Sequence, residues 1–288
     1  MAVADQIVRG HGASVEEVCN CLSISRSVFY AHQSSQKTEG EARTAHLTSL
    51  VMDVFWKHRR RYGARRIIED LRDVGTTACR RTVANIMKTQ GLRAIQPKSF
   101  KPKTTESRHR LGDRPNLLLN DFQLTAINQL WVADITYIPL EGKRFAYLAM
   151  LMDRFSRRLI GWHLDTTMTE EIVLLSVTRA IRSGRPTSNL IHHSDRGGQY
   201  AGKRFRAVLS RANIRQSMSR AGDCYDNAFM ESCFGTIKTE LEMVEYESMS
   251  HSDRQLAEYF AYYNNDRKHS SIGYRTPVQF ESQQPGQN

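Results

Sequence analysis

Long apolar runs are missing from this chain of 288 residues: no stretch of 18 could cross a bilayer as a helix. The opening Met-Ala-Val-Ala-Asp-Gln-Ile lacks the pattern of a signal peptide. Cysteine is sparse and odd in number. Cys19, Cys21, Cys79, Cys224 and Cys233 show no zinc spacing, and Cys19-Asn-Cys21 is too tight for a zinc knuckle. They read as reduced thiols, so the expected compartment is the cytoplasm. Internal repeats and low-complexity segments are also lacking. Acid is the scarcer charge: 30 Asp and Glu stand against 41 Lys and Arg, a net +11 with a pI near 9.6. That balance attracts polyanions, nucleic acid first among them, although a ribosomal or membrane-surface protein would share it. The remaining composition, 25% charged and 40% hydrophobic, is that of a soluble globular protein of one large domain or two to three small ones.

The N-terminal third reads as helical. Residues 1–40 form a helical hairpin: Ser14-Val-Glu-Glu17 is a capping box, Val15, Val18 and Leu22 mark an apolar face, and Ser23–Tyr30 is a turn and second helix. A helix-turn-helix and a plain hairpin fit this stretch equally. Residues 44–92 form a second helical unit resembling a helix-turn-helix. Leu47, Leu50, Val51, Val54 and Phe55 recur at helical spacing. Lys57–Arg66 then packs six Lys and Arg into ten residues, and Gly63 breaks the chain before a helix near Arg65. A third helix, Thr77 to Lys88, turns Val83, Ile86 and Met87 inward and Arg80, Arg81 and Lys88 outward. Arg65, Arg66, Arg80 and Arg81 are therefore candidate DNA contacts. Residues 93–119 read as a basic, proline-punctuated linker whose Lys101 and Lys103 suit a phosphate backbone.

From Asn120 the pattern changes. Trp131–Pro139 is a strand, Arg144–Asp153 a nearly continuous apolar strand fit for the middle of a sheet, and Leu159–Leu164 a third. A helix over Thr169–Ser183, a strand over Asn189–His193, a helix over Lys203–Ala212, a strand over Ile214–Ser217 and a helix around Glu231 complete the order βββαβαβα. That is an α/β, ribonuclease H-like mixed sheet with flanking helices. This core spans residues 120–282, and 283–288 form a tail.

Three acids carry the chemistry. Asp134 lies within the first strand, Asp195 at the carboxyl end of the fourth, where ligand sites gather, and Glu231 on the helix after the fifth. Thirty-five residues separate the last two. Convergent carboxylates suit hard cations such as Mg²⁺, and two such ions clamp the attacking and leaving oxygens of a phosphodiester. Asn227 and Lys238, four before and seven after Glu231, share its helical face, and Lys238 is placed to grip a phosphate. Gly197-Gly198 permits close approach of a substrate. Asp153 reads instead as the cap of a hairpin turn. Of His192 and His193, one is expected in the core and one at the site rim. Glu240 and Glu242 read as solvated.

Taken together, Trp131-Val-Ala-Asp-Ile-Thr-Tyr-Ile, Asp153-Arg-Phe-Ser-Arg, His193-Ser-Asp-Arg-Gly-Gly-Gln-Tyr, Ser219–Lys238 and Tyr263-Asn-Asn-Asp-Arg-Lys-His-Ser-Ser-Ile-Gly-Tyr-Arg-Thr-Pro277 resemble the DDE transposases of bacterial insertion sequences. The branch is the one close to retroviral integrases, and the product that of the downstream frame in two-frame elements. The likeness is close over residues 120–282 and looser over 44–92, and the 35-residue gap is the family's spacing. It implies Asp134, Asp195 and Glu231 as ligands of two Mg²⁺ (Mn²⁺ able to substitute), Lys238 as the accompanying lysine, and Arg267 and His269 in a motif that contacts DNA or packs helices. It also implies nicking at an element end, joining of the freed 3′-hydroxyl to another phosphodiester, double-stranded DNA as partner, a homo-oligomer on that DNA, and an upstream-frame product joined by frameshifting. The zinc module of integrases proper is missing. A regulator without catalysis is disfavoured by the intact acidic triad, a nuclease that never joins by the helix-turn-helix units, and RNA binding by the lack of an aromatic stacking motif.

Overall fold

The computed structural model describes residues 14–33, 39–97, 115–118, 122–184, 188–219, 228–242 and 245–284, together with residues 7 and 186. Two compact units divide at Arg93/Ala94. Among the described residues no helix is long and apolar enough to cross a membrane.

The first unit is helical. α1 (Val15–Cys21) starts on the expected capping box: the Glu17 amide donates to Ser14 Oγ at 3.2 Å, and the Ser14 amide donates to the Glu17 carboxylate at 3.0 Å. α2 (Arg26–Gln33) follows, and Val18, Cys19 and Phe29 form a small core of this pair. α3 (Glu39–Lys57), α4 (Ala64–Asp73) and α5 (Arg80–Thr89) bury Val51, Phe55, Ile67, Leu71, Val83, Ile86 and Met87. α5 begins at Arg80 rather than the expected Thr77, because Cys79 takes the N-cap and its sulfur accepts from the Thr82 amide. The basic stretch 57–66 is not all exposed. His58 is buried, stacks on Tyr62 with ring centroids 3.7 Å apart, and pairs with Asp70 at 2.7 Å.

The second unit is built on a five-stranded sheet: β1 (Leu130–Leu140), β2 (Arg144–Asp153), β3 (Leu159–Asp165), β4 (Ile191–Ser194) and β5 (Arg215–Met218), in the order β3-β2-β1-β4-β5. β1, β2 and β3 pair antiparallel, while β4 and β5 extend the other edge in parallel. Strand alternation assigns the two faces. Trp131 and Ala133 face one core with α6 (Glu170–Gly184) and α7 (Lys203–Arg211). Leu130, Val132, Ile138 and Leu140 face another with α8 (Ala228–Glu240) and α9 (Met249–Asn265). The result is an α/β/α sandwich of ribonuclease H-like order, as expected for the fold class. Gly161 in β3 permits this packing, since any Cβ there would collide with the Ser176 carbonyl and Ala180 of α6. Residues 115–118, expected as the end of a linker, pack on this unit. The Leu117 amide donates to Ser217 Oγ at 3.0 Å, and Leu117 and Leu118 lie against the α8–α9 core. α10 (Pro277–Ser282) closes the chain on a Thr276 capping box.

Candidate active site

Period-two alternation and register bring two of the three acids to one place. β1 pairs with β4 as Leu130↔Ile191 and Val132↔His193. Two residues beyond that last pair lie Asp134, on the face of β1 that carries α8, and Asp195, just past the end of β4. Both are half-buried. Asp195 turns the chain: its Oδ1 accepts from the Gly197 amide at 3.0 Å, and a Cβ on Gly197 would stand only 3.0 Å from that same oxygen. Gly197 thus serves close approach rather than a left-handed turn.

Tyr200 is near enough to both carboxylates to feel their charge. Its ring is buried against His192 and Phe205, and among the described residues its hydroxyl has no hydrogen-bond partner. Burial, and then the charges of Asp134 and Asp195, hold the phenol well above its ordinary pKa. It therefore keeps its proton at neutral pH. Lys238 of α8 is near enough to Asp134 to feel its charge. Burial lowers its pKa, and the Asp134 carboxylate opposes that shift. Two carboxylates of oxygen-donor chemistry, an orphaned buried hydroxyl and a partly buried lysine fit a hard divalent cation and a phosphate together.

The structure does not bring Glu231 into this group. α8 buries Met230, Cys233, Phe234 and Ile237, and Glu231 and Lys238 run along the stripe beside them. Seven residues of helix put Glu231 about 10 Å along the axis from Lys238, and it is exposed. Among the described residues no three acidic, histidine or cysteine side chains gather at metal-holding distance.

The far end of α8 is anchored. Glu240, expected in solvent, is buried, and so is Arg267. The Arg267 guanidinium donates through Nε to both Glu240 oxygens, at 3.0 and 2.9 Å, and through Nη2 at 2.7 Å; Tyr259 Oη adds a donor at 3.0 Å. Burial works against the Arg267 charge, but the Glu240 hydrogen bonds and charge override it and push the pKa above the ordinary arginine value. Of the two roles expected of this motif, DNA contact or helix packing, Arg267 fits the second and not the first, as a buried anchor of α8. His269 goes with it: it is buried, lies 3.1 Å from Arg267 Nη1 and packs edge-on against Tyr263.

Family models match the chain in three places. An HTH-like domain covers residues 42–100, and two integrase core domain models cover 125–224 and 212–277. Transposase InsF for insertion sequence IS3A of Escherichia coli (strain K12) is 35% identical over 275 residues, 93% of this chain and 94% of that protein. The chain belongs to the IS3 family of insertion-sequence transposases. A second relative, the insertion element IS600 uncharacterized 31 kDa protein of Shigella sonnei, is 35% identical over 271 residues, 91% of this transposase and 97% of the relative. A chain of the simian T-cell lymphotropic virus intasome in complex with PP2A regulatory subunit B56 gamma shares 19% identity over 73% of this chain and 69% of its own, with a TM-score of 0.46.

In this transposase the HTH-like match spans α3 to α5. Arg65 is exposed on α4, Arg66 is half-buried with its guanidinium 5.5 Å from the Tyr62 ring centroid, and Arg80 and Arg81 are exposed in the first turn of α5. Lys101, Lys103 and Asn227 lie outside the described residues. His192 and His193 are both buried, so neither reaches the site rim; His193 Nδ1 and Ser217 Oγ are 2.9 Å apart. Asp153 caps its turn as expected, accepting from the Phe155 and Ser156 amides at 2.9 Å each and from the Asn128 amide at 2.7 Å. Sequence reasoning gave Tyr200 no role. Its one signal was a lone aromatic hydroxyl five residues after an acid and just past a Gly-Gly turn.

Proposed function

We propose that this transposase cuts DNA strands at the ends of its insertion sequence and joins the freed 3′-hydroxyl to a second phosphodiester. The observation that carries the reading is the gathering of Asp134, in β1, and Asp195, just past β4, around Tyr200 in an integrase core, with Lys238 near Asp134. Asp134, Asp195 and Glu231 are the residues that would hold two Mg²⁺ ions, with Mn²⁺ as substitute. Bound there, the ions would polarise the phosphodiester and activate water or a 3′-hydroxyl. Asp134, from β1, and Asp195, from the turn that follows β4, would supply two ligand positions. Lys238 neutralises a phosphate oxygen beside them, and Glu231 lies on its helical stripe, from which bound cations would draw it in. In the first step water oxygen bonds to phosphorus and the 3′-oxygen leaves as a hydroxyl. In the second that 3′-hydroxyl attacks a target phosphodiester, whose own 3′-oxygen leaves.

Arg65, Arg66, Arg80 and Arg81 hold double-stranded DNA through the HTH-like domain, and Lys101 and Lys103 follow its backbone. The domains are 1–40, 44–92, a linker over 93–119 and a core over 120–282, and the protein works in the cytoplasm, at the nucleoid when bound. A homo-oligomer on DNA and a frameshift fusion with an upstream product complete the proposal. One observation favours a second reading, a DNA-binding regulator without catalysis: Glu231 stands apart from the aspartates.

The test is labelled duplex carrying the sequences that flank this gene, incubated with purified protein and Mg²⁺ or Mn²⁺ beside Glu231→Gln. Nicked and joined products from the wild type alone support the reading. Turnover by Glu231→Gln would remove Glu231 from the triad. Nicking without joining would leave a nuclease, and binding without either, also as the upstream fusion, a regulator.

A further inference from the structure

Two arginines outside the acidic site have no acidic partner among the described residues. Arg154 and Arg157 lie in the turn between β2 and β3 and are half-buried. Each guanidinium carbon stands 4.1 Å from the ring centroid of Phe229, in the first turn of α8. The nearby carboxylates are engaged elsewhere. Asp153 accepts from the turn amides and from Asn128, and Glu281 takes Arg158 at 2.5 Å and Ser156 Oγ at 2.7 Å. Among the described residues neither Arg154 nor Arg157 forms an ion pair.

The electrostatics agree with the geometry. Burial lowers the pKa of Arg154, and burial followed by the Arg154 charge lowers Arg157 to about 10. Arg267, buried against Glu240, moves the opposite way. A helix N-terminus is also the end that favours anions, not cations.

We propose that Arg154 and Arg157, flanking Phe229, form a clamp for a DNA phosphate two residues from Glu231 on α8. This rests on the transposase reading for the identity of the anion. Planar guanidinium forks match phosphate oxygens, and the Phe229 ring holds both forks in place while the site is empty. The clamp fixes the strand beside Glu231, where Lys238 fixes it beside Asp134.

The experiment compares full-length wild type with Arg154→Gln/Arg157→Gln, measuring anisotropy of labelled end-sequence duplex from low to high salt alongside thermal melts without DNA. The double variant should flatten the slope of log K against log salt by about 0.9 if the arginines share one phosphate and about 1.8 if they take two. It should melt no lower than wild type, because it removes two charges that have no acidic partner among the described residues. Arg154→Lys/Arg157→Lys, which keeps the charge, should retain most of the slope. A wild-type slope with a lowered melting temperature would overturn the clamp and make the arginines packing for Phe229. Failure of the wild type to bind any DNA would overturn both the clamp and the transposase reading.

Discussion

Removing one member of the Glu240–Arg267 pair should damage this protein far more than removing both. Arg267 keeps 4% and Glu240 7% of its surface exposed, and three guanidinium hydrogen bonds of 2.7–3.0 Å join them. Glu240→Leu would leave a buried cation without its carboxylate. Arg267→Met would leave a buried carboxylate with the Tyr259 hydroxyl as a neutral donor. Each should cost about 3–5 kcal/mol, the range for an uncompensated buried charge. For a unit of this size that is a fall of roughly 6–20 °C in melting temperature. It is also a fifth or more of the stability a typical domain has, about 5–15 kcal/mol. Glu240→Leu/Arg267→Met replaces both charges by apolar volume and should fall near wild type. The assay is urea unfolding of the full chain followed by the fluorescence of Trp131, which is buried in the sheet. Single variants within about 1 kcal/mol of wild type, or a double variant as unstable as the sum of the singles, would refute the reasoning.

Two other perturbations have opposite signs from what a purely structural role would give. Tyr200→Phe deletes a buried hydroxyl without a partner and should raise metal-free stability by about 1–3 kcal/mol. A destabilised variant would show that the hydroxyl is hydrogen-bonded in the folded protein. His192 is fully buried, and burial, then the neighbouring His193, lowers its pKa to about 3 from the ordinary 6.5. The unfolded chain takes up that proton first. Its contribution is therefore present above about pH 6.5 and lost below it at about 1.4 kcal/mol per pH unit, until pH nears the folded value. His192→Phe should flatten the acid side of the stability curve by about 2 kcal/mol between pH 6.5 and 5. Parallel curves for the two proteins would show that His192 is solvated.

Much of the sheet was legible because its strands are apolar in the right period. The run Phe145–Met152 announces an interior strand, and β2 lies between β1 and β3. Asp134 and Asp195 stood out as acids within and at the end of such runs. What misled was charge whose partner lies far along the chain. Glu240, in the last turn of a helix beside Lys238 and Glu242, looks like any solvated acid, and its partner is 27 residues away. Arg267, in a run of polar residues, looks like a surface cation for the same reason. The start of α5 was misplaced because Cys79 is an unusual cap, and His193 because adjacent strand residues need not differ in burial once helices cover both faces. The gathering of Arg154 and Arg157 on Phe229 joins residues more than 70 positions apart and has no local signature.

The seam between the β2–β3 turn and the end of the chain bears on synthesis. The Leu159 amide and carbonyl are both bound by the Asn264 side chain, at 2.9 and 2.8 Å, and Ser156 and Arg158 are bound by Glu281. These contacts close over more than 100 residues, so a ribosome must deliver the C-terminal helices before the early turn can be fastened. A nascent or prematurely terminated copy would carry Asp134 and Asp195 while the β2–β3 hairpin stayed unlatched, so the finished core would be a property of chains that reach Glu281.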